Sequence, residues 1–228
     1  MSGTDTSDIG VYGDDMTLAE ARKAYFADYG MGDCGGYDAR TVQVKLGPVL
    51  VELPNLDARK QALPYHDAHH ILTGYRPAPA GVRIGSGASH GESEVAAWET
   101  GAGWIGIGYW EAWLVNSYAV FIGLMACPRK TFRAFVRGRR SSTLYDLPLD
   151  ARLLNERLGA LRARAGLNRP RTHASFGDGA VFLLWSCAAC VTALLSTLFI
   201  VLPFAVVQTA GRVLRLRRAN GSGGTGGL

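Results

Sequence analysis

LPYHDAHHILTGY, residues Leu63 to Tyr75, holds His66, His69 and His70, three of the chain's five histidines. Read as the end of a helix covering Leu56 to Thr73, it puts His66 and His70 four residues apart on one face. Two imidazoles at that spacing can close on one metal ion. His69 points to a different face and is read as a support to the ligands or as structural. Gly74 suits the C-cap of this helix. Pro64, with no N–H for the ladder, is a candidate kink.

Upstream, Pro54 and Asn55 make a turn. Thr41 to Leu53 alternates at first and breaks at Gly47-Pro48, so it reads as a short strand or an extended entry to the histidine helix. Thr17-Leu-Ala-Glu20 is a capping-box pattern opening a helix from Leu18 to Tyr29. Gly30, Gly32, Gly35 and Gly36 then form a glycine-rich loop. No GK[ST] follows, so it is not a phosphate loop. Residues 1–16 are expected to be a flexible N-terminus.

Downstream, Arg76 to Gly91 has the Pro, Gly and Ser content of a loop. Loops of that length in compact domains are often functional lids. A helix is expected from Glu92 to about Glu99, with Gly101 and Gly103 interrupting it. Ala112 to Pro128 is apolar apart from Asn116 and Ser117. A bilayer span ending there would place six basic residues of 129–140 against the positive-inside expectation. A buried core helix, or the wall of a lipid pocket formed with Trp104 to Met125, is expected instead. Leu149 to Leu161 has its leucines at helical spacing and reads as one amphipathic helix. Arg162 to Arg171 reads as a basic linker.

From Gly179 to Gly211 no residue is charged. This is the expected membrane segment, with four arginines on each side, Arg162, Arg164, Arg169 and Arg171 before it and Arg212, Arg215, Arg217 and Arg218 after. Two readings stay open: one tilted span, or a re-entrant hairpin turning near Pro203 or around Thr192 to Ser196. Residues 212–228 form a basic and Gly-rich tail. The expected fold class is therefore mainly α: a helical bundle-like domain over 17–171 with a C-terminal hydrophobic membrane segment over 179–211.

The net charge of +5 on 228 residues is clustered. Two basic clusters flank the apolar run, which favours anionic lipid headgroups as partners. No basic stripe interleaved with aromatics occurs, so no nucleic acid is expected. The opening MSGTDTSDIG lacks a basic n-region and an apolar core, so no signal peptide is expected. The four cysteines are then read as reduced, on a cytosol-facing protein. Cys187-Ala-Ala-Cys190 lies inside the apolar run and reads as packing. His66-x-x-His69-His70 also matches a membrane desaturase box, but such di-iron sites need more histidines than the five present. A metalloprotease would want Glu where Asp67 stands.

His66-Asp67-x-x-His70, then Ile71-Leu-Thr-Gly-Tyr75, then Gly91-Glu92 followed by a tryptophan-bearing helix, resembles the coenzyme Q (ubiquinone) biosynthesis protein 4 family. The Leu46-Gly-Pro48 turn and the ARKQALPYHD approach fit as well. The resemblance covers roughly Thr17 to Arg171 and excludes the apolar segment. It implies a divalent metal, zinc above iron, held by His66, Asp67, His70 and Glu92, which would also be the catalytic residues. Twenty-one residues separate His70 from Glu92, more than is usual in the family. Glu94 is a rival ligand on that account, and His90 a neighbour.

The resemblance further implies a lyase: decarboxylation with hydroxylation at ring carbon 1 of a polyprenylated hydroxybenzoate-type precursor. Implied partners are that prenyl-lipid precursor, membrane lipids, other quinone biosynthesis enzymes and a second copy of the chain in a homodimer. The implied location is a membrane, with the metal-binding domain on the cytosolic side. The alternative is a non-catalytic membrane-bound scaffold or prenyl-lipid-binding protein of a quinone biosynthesis complex. An open metal position favours the enzyme, and a closed one the scaffold.

Overall fold

The computed structural model describes residues 12–32, 35–46, 49–77, 90–103, 110–169 and 173–221. Most of the expected flexible N-terminus, the Gly47-Pro48 turn, the body of the expected lid (78–89), segment 104–109 and the tail from 222 lie outside the described residues. The described chain is mainly helical, as its sequence led us to expect, and it also carries one two-stranded sheet. It divides into two compact units, Met1–Asp38 with Leu56–Thr192, and Ala39–Asn55 with Ala193–Leu228.

In the first unit, α1 (Leu18–Tyr29) opens on the expected capping box. The Thr17 hydroxyl accepts from the Glu20 N–H at 3.2 Å, and the Glu20 carboxylate accepts from the Thr17 N–H at 2.8 Å. The helix ends at Gly30, whose φ of 64° is left-handed. Helix α2 (Asp57–Thr73) runs through Pro64 and ends at Gly74.

The last carbonyls of α2 have no partner within the helix. Two arginines from later in the chain supply one. Arg162 donates to the carbonyls of Leu72 (3.2 Å) and Ile71 (3.1 Å), and Arg137 donates to that of Thr73 (2.9 Å). Arg162 is 1% exposed and also bonds the Tyr12 carbonyl and the Asp14 carboxylate. The stretch expected to be a basic linker therefore starts inside the core.

Helix α3 (Gly91–Ala102) outruns its expected end, passing Gly101 and stopping at Gly103. The reason is its packing on α5 (Pro128–Gly138). A Cβ on Gly101 would lie 2.2 Å from the Phe135 carbonyl oxygen, and one on Gly138 would lie 2.0 Å from that of Trp98. These glycines allow close backbone contact and do not break the helix. Between them in sequence, α4 (Trp110–Ala126) buries Asn116, Ser117 and Val120 and leaves Val115 and Met125 exposed. It is a core helix on one face only.

The single helix expected over Leu149 to Leu161 is two, α6 (Ala151–Leu154) and α7 (Leu158–Arg164). Backbone bonds explain the break. The Leu18 N–H donates to the Glu156 carbonyl (3.0 Å), and the Leu158 N–H donates to that of Met16 (2.9 Å). Helix α8 (Phe176–Ser196) starts at a second box, Ser175 with Asp178, and Arg139 and Arg140 hold Asp178 at 2.9 and 2.8 Å. Phe182 packs on Phe132 and Phe135, and Trp185 on Trp113. The core centres on Leu18, Tyr25, Leu72, Trp98, Phe135 and Leu161.

In the second unit the stretch read as one strand is an antiparallel hairpin, β1 (Thr41–Leu46) and β2 (Val49–Pro54), with Leu46 opposite Val49. Its companion is the rest of the long helix: a π-helical turn at Thr197–Val201, then α9 (Leu202–Gly221). Pro203 has no N–H for the ladder, and the wider turn just before it takes up the mismatch. Gln208, a polar residue in the apolar run, pairs with β2. Its amide donates to the Glu52 carbonyl (2.6 Å) and accepts from the Glu52 N–H (3.0 Å). From Phe176 to Arg215 the helix is continuous over 40 residues, long and apolar enough to cross a membrane, with no re-entrant turn.

Candidate metal centre

Helix α2 presents His66 and His70, and α3 presents Glu92 from its first turn. Their donor atoms all lie within 4.8 Å of one another, a triad that could hold a metal ion. The Nε2 of His66 is 3.4 Å, and that of His70 3.6 Å, from the Glu92 carboxylate. Ligands at about 2.0–2.2 Å from one ion stand no more than about 4.4 Å apart. Small side-chain adjustments would therefore suffice to bring the three donors within reach of one ion.

The hydrogen bonds set the tautomers that such an ion needs. The Nδ1–H of His70 donates to the Tyr75 carbonyl at 2.6 Å, which leaves the lone pair on Nε2. That Nε2 is buried without a hydrogen-bond partner. The Nδ1 of His66 faces Glu99 at 3.1 and 3.2 Å, so its Nε2 also points to the triad. Glu92 is half exposed and forms the open side of the site. Gly91 lets it approach: a Cβ there would lie 1.7 Å from the Arg76 carbonyl oxygen.

Behind the triad sits Glu99, which is fully buried. Glu92 and Glu99 are seven residues apart, two turns of one helix, and so share a face. Besides His66, Glu99 accepts from His69 Nδ1 (2.7 Å), Asn116 Nδ2 (2.6 Å) and the Tyr145 hydroxyl (3.1 Å). His69 accepts the Leu144 N–H on Nε2 at 2.9 Å. Both its ring nitrogens are occupied, in keeping with a structural role.

Charge follows this arrangement. Burial disfavours the ionised Glu99 carboxyl, but His66 and His69 outweigh it and hold the group well below the usual carboxylate range. Burial opposes a charge on His66 too, yet Glu99 and Glu92 raise it well above an ordinary histidine. Glu92 is lowered by His70 and His66, which outweigh its partial desolvation. His69 is lowered, chiefly by burial, and stays neutral.

The expected ligands fare differently. His66, His70 and Glu92 come together. Asp67 is outside the triad, and its carboxylate accepts from the Tyr37 hydroxyl at 2.5 Å. Burial raises its pKa. Glu94 and His90 do not join the triad among the described residues. Glu99, Asn116 and Tyr145 were missed. Signals for the first two existed: a glutamate two turns beyond Glu92, and an amide inside an apolar helix. Among the described residues Cys127, Cys187 and Cys190 are free. No family model matches the chain, and no curated protein or solved structure matches it.

Proposed function

We propose that the chain is a membrane-bound, metal-dependent enzyme of ubiquinone biosynthesis. It acts on a polyprenylated hydroxybenzoate-type precursor by oxidative decarboxylation at ring carbon 1. The observation that carries this reading is the convergence of His66, His70 and Glu92 with the His70 Nε2 bare, within the HDxxH…GE pattern that suggested the chemistry. The half-exposed Glu92 leaves one side of the triad open, which favours an enzyme over a scaffold with a closed structural metal.

An ion bound there supplies Lewis-acid polarisation of a substrate oxygen. The chain's own residues do the rest. Glu99 and the Tyr75 carbonyl fix the two imidazoles, and Asn116 and Tyr145 fix Glu99. In the net change the bond from ring carbon 1 to its carboxylate breaks, carbon dioxide leaves and a hydroxyl takes its place. That is a two-electron oxidation, which balances with dioxygen as the co-substrate when the hydroxyl oxygen comes from water and dioxygen takes up the two electrons and two protons released, leaving as hydrogen peroxide. Zinc is the ion the family resemblance implies. Two histidines and one carboxylate also form the donor set of non-haem iron oxygenases.

The 40-residue apolar helix supports a membrane location, where a prenylated substrate resides. A cytosolic face for the metal unit belongs to the same reading. Association with other quinone enzymes and a homodimer belong to the same reading. Elemental analysis of the detergent-solubilised chain, its His66→Ala and Glu92→Ala variants, and quinone output in cells lacking the native protein test it together. We expect about one metal per chain, lost in both variants along with quinone production. A metal-free wild type, or variants with full quinone output, would sink the reading. Metal bound with no quinone dependence would favour the scaffold.

A further inference from the structure

The hydroxyl of Tyr25 is the second orphan beside this site. Tyr25 lies on α1 and is 2% exposed, and its oxygen is buried without a hydrogen-bond partner. Native interiors rarely leave a hydroxyl in that state, because the desolvation goes unrecovered. Its ring stacks on the His70 imidazole, 6.1 Å between centroids at 25°. Both residues line one cavity of about 10 Å³, with Tyr12, Tyr29, Gly74 and Arg76. Such a volume accommodates about one oxygen atom.

Two nearby hydroxyls are already engaged: Tyr12 donates to Asp28 at 2.9 Å, and Tyr37 to Asp67. Tyr25 thus offers a donor on a wall that Arg76 also lines, with the Asp67 and Glu92 carboxylates close enough to act on it. The complement of that donor is an acceptor oxygen.

We infer that Tyr25 is a ligand-binding residue whose hydroxyl donates a hydrogen bond to a carboxylate oxygen of an aromatic acid seated at the His66–His70–Glu92 triad. The inference rests on the metal reading above. It adds a contact made by α1, an element outside the HDxxH…GE pattern.

The test uses the full chain in detergent, loaded with cobalt(II) as a visible probe. Benzoate is titrated in while the d–d absorption is followed, for the wild type and for Tyr25→Phe. We expect benzoate to change the wild-type spectrum. Tyr25→Phe should keep its cobalt and bind benzoate about ten-fold or more weakly, the loss expected for a hydrogen bond to a charged group. Retained cobalt shows that the variant has kept its fold. Equal benzoate affinity in the two proteins, or no response in the wild type, overturns the assignment and leaves the metal site standing. Loss of cobalt from Tyr25→Phe overturns it too, by making Tyr25 a framework residue. A wild type that takes up no cobalt overturns the metal reading and the inference with it.

Discussion

Glu99 does for the site what no ligand does: one buried carboxylate orders two histidines, an amide and a phenol. Glu99→Gln keeps the shape but replaces one acceptor oxygen by a donor, which then faces N–H groups. We expect metal affinity to fall about 10–100-fold, measured by competition with a chelator of known affinity. Unchanged affinity would remove Glu99 from the site. The raised pKa of His66 sets a pH dependence. Without metal, His66 holds its proton above the ordinary histidine value near 6.5, and the ion must displace it. Affinity should therefore fall as pH falls, and metal added at pH 7 in weak buffer should release protons. Titration calorimetry in buffers of different ionisation enthalpy reads that release, and none at pH 7 would count against it. Asp67 shows where sequence reasoning runs out at this scale. The helical spacing of His66 and His70 is visible in a sequence, but the partner of a carboxylate depends on what a distant loop brings, here Tyr37.

Among the elements, legibility followed locality. Helix α1 and the C-terminus of α2 carry their caps within a few residues, so their ends were readable from Thr17, Gly30 and Gly74. The reach of α3 was not. Its Gly101 resembles a break in isolation, and only α5 opposite reveals it as a contact. The split of α6 from α7 likewise depends on Met16 and Leu18, far away in sequence. Gly138→Ala tests the close approach. Alanine gains about 1 kcal/mol of helix preference over glycine. A methyl 2.0 Å from a backbone oxygen cannot be housed without moving a helix, and we expect a net loss of about 1–3 kcal/mol. That would lower the melting temperature by roughly 2–4 °C per kcal/mol, and an unchanged melt would contradict the packing. Arg162→Ala strands the Ile71 and Leu72 carbonyls, and about 2–4 kcal/mol should be lost in urea unfolding.

At the scale of the whole molecule, the long helix exceeds what a bilayer needs. Forty residues at 1.5 Å each correspond to about 60 Å, against a hydrocarbon core of about 30 Å, so about half of its length would suffice to cross one. The exposed apolar side chains are dense from Leu194 to Val207, including Leu198, Phe199 and Ile200. An environment-sensitive fluorophore on Leu198→Cys should report a dry surround in vesicles, and a water-like emission there would argue against a membrane role for this half. Arg162 and Arg137 have one more consequence, for the nascent chain. The imidazoles of α2 leave the ribosome early, but the groups that hold their helix end, and the Tyr145 that steadies Glu99, are translated much later. A chain stalled before Arg162 has its histidines but not the framework that orients them. The framework around the triad is thereby complete only once most of the protein has been synthesised.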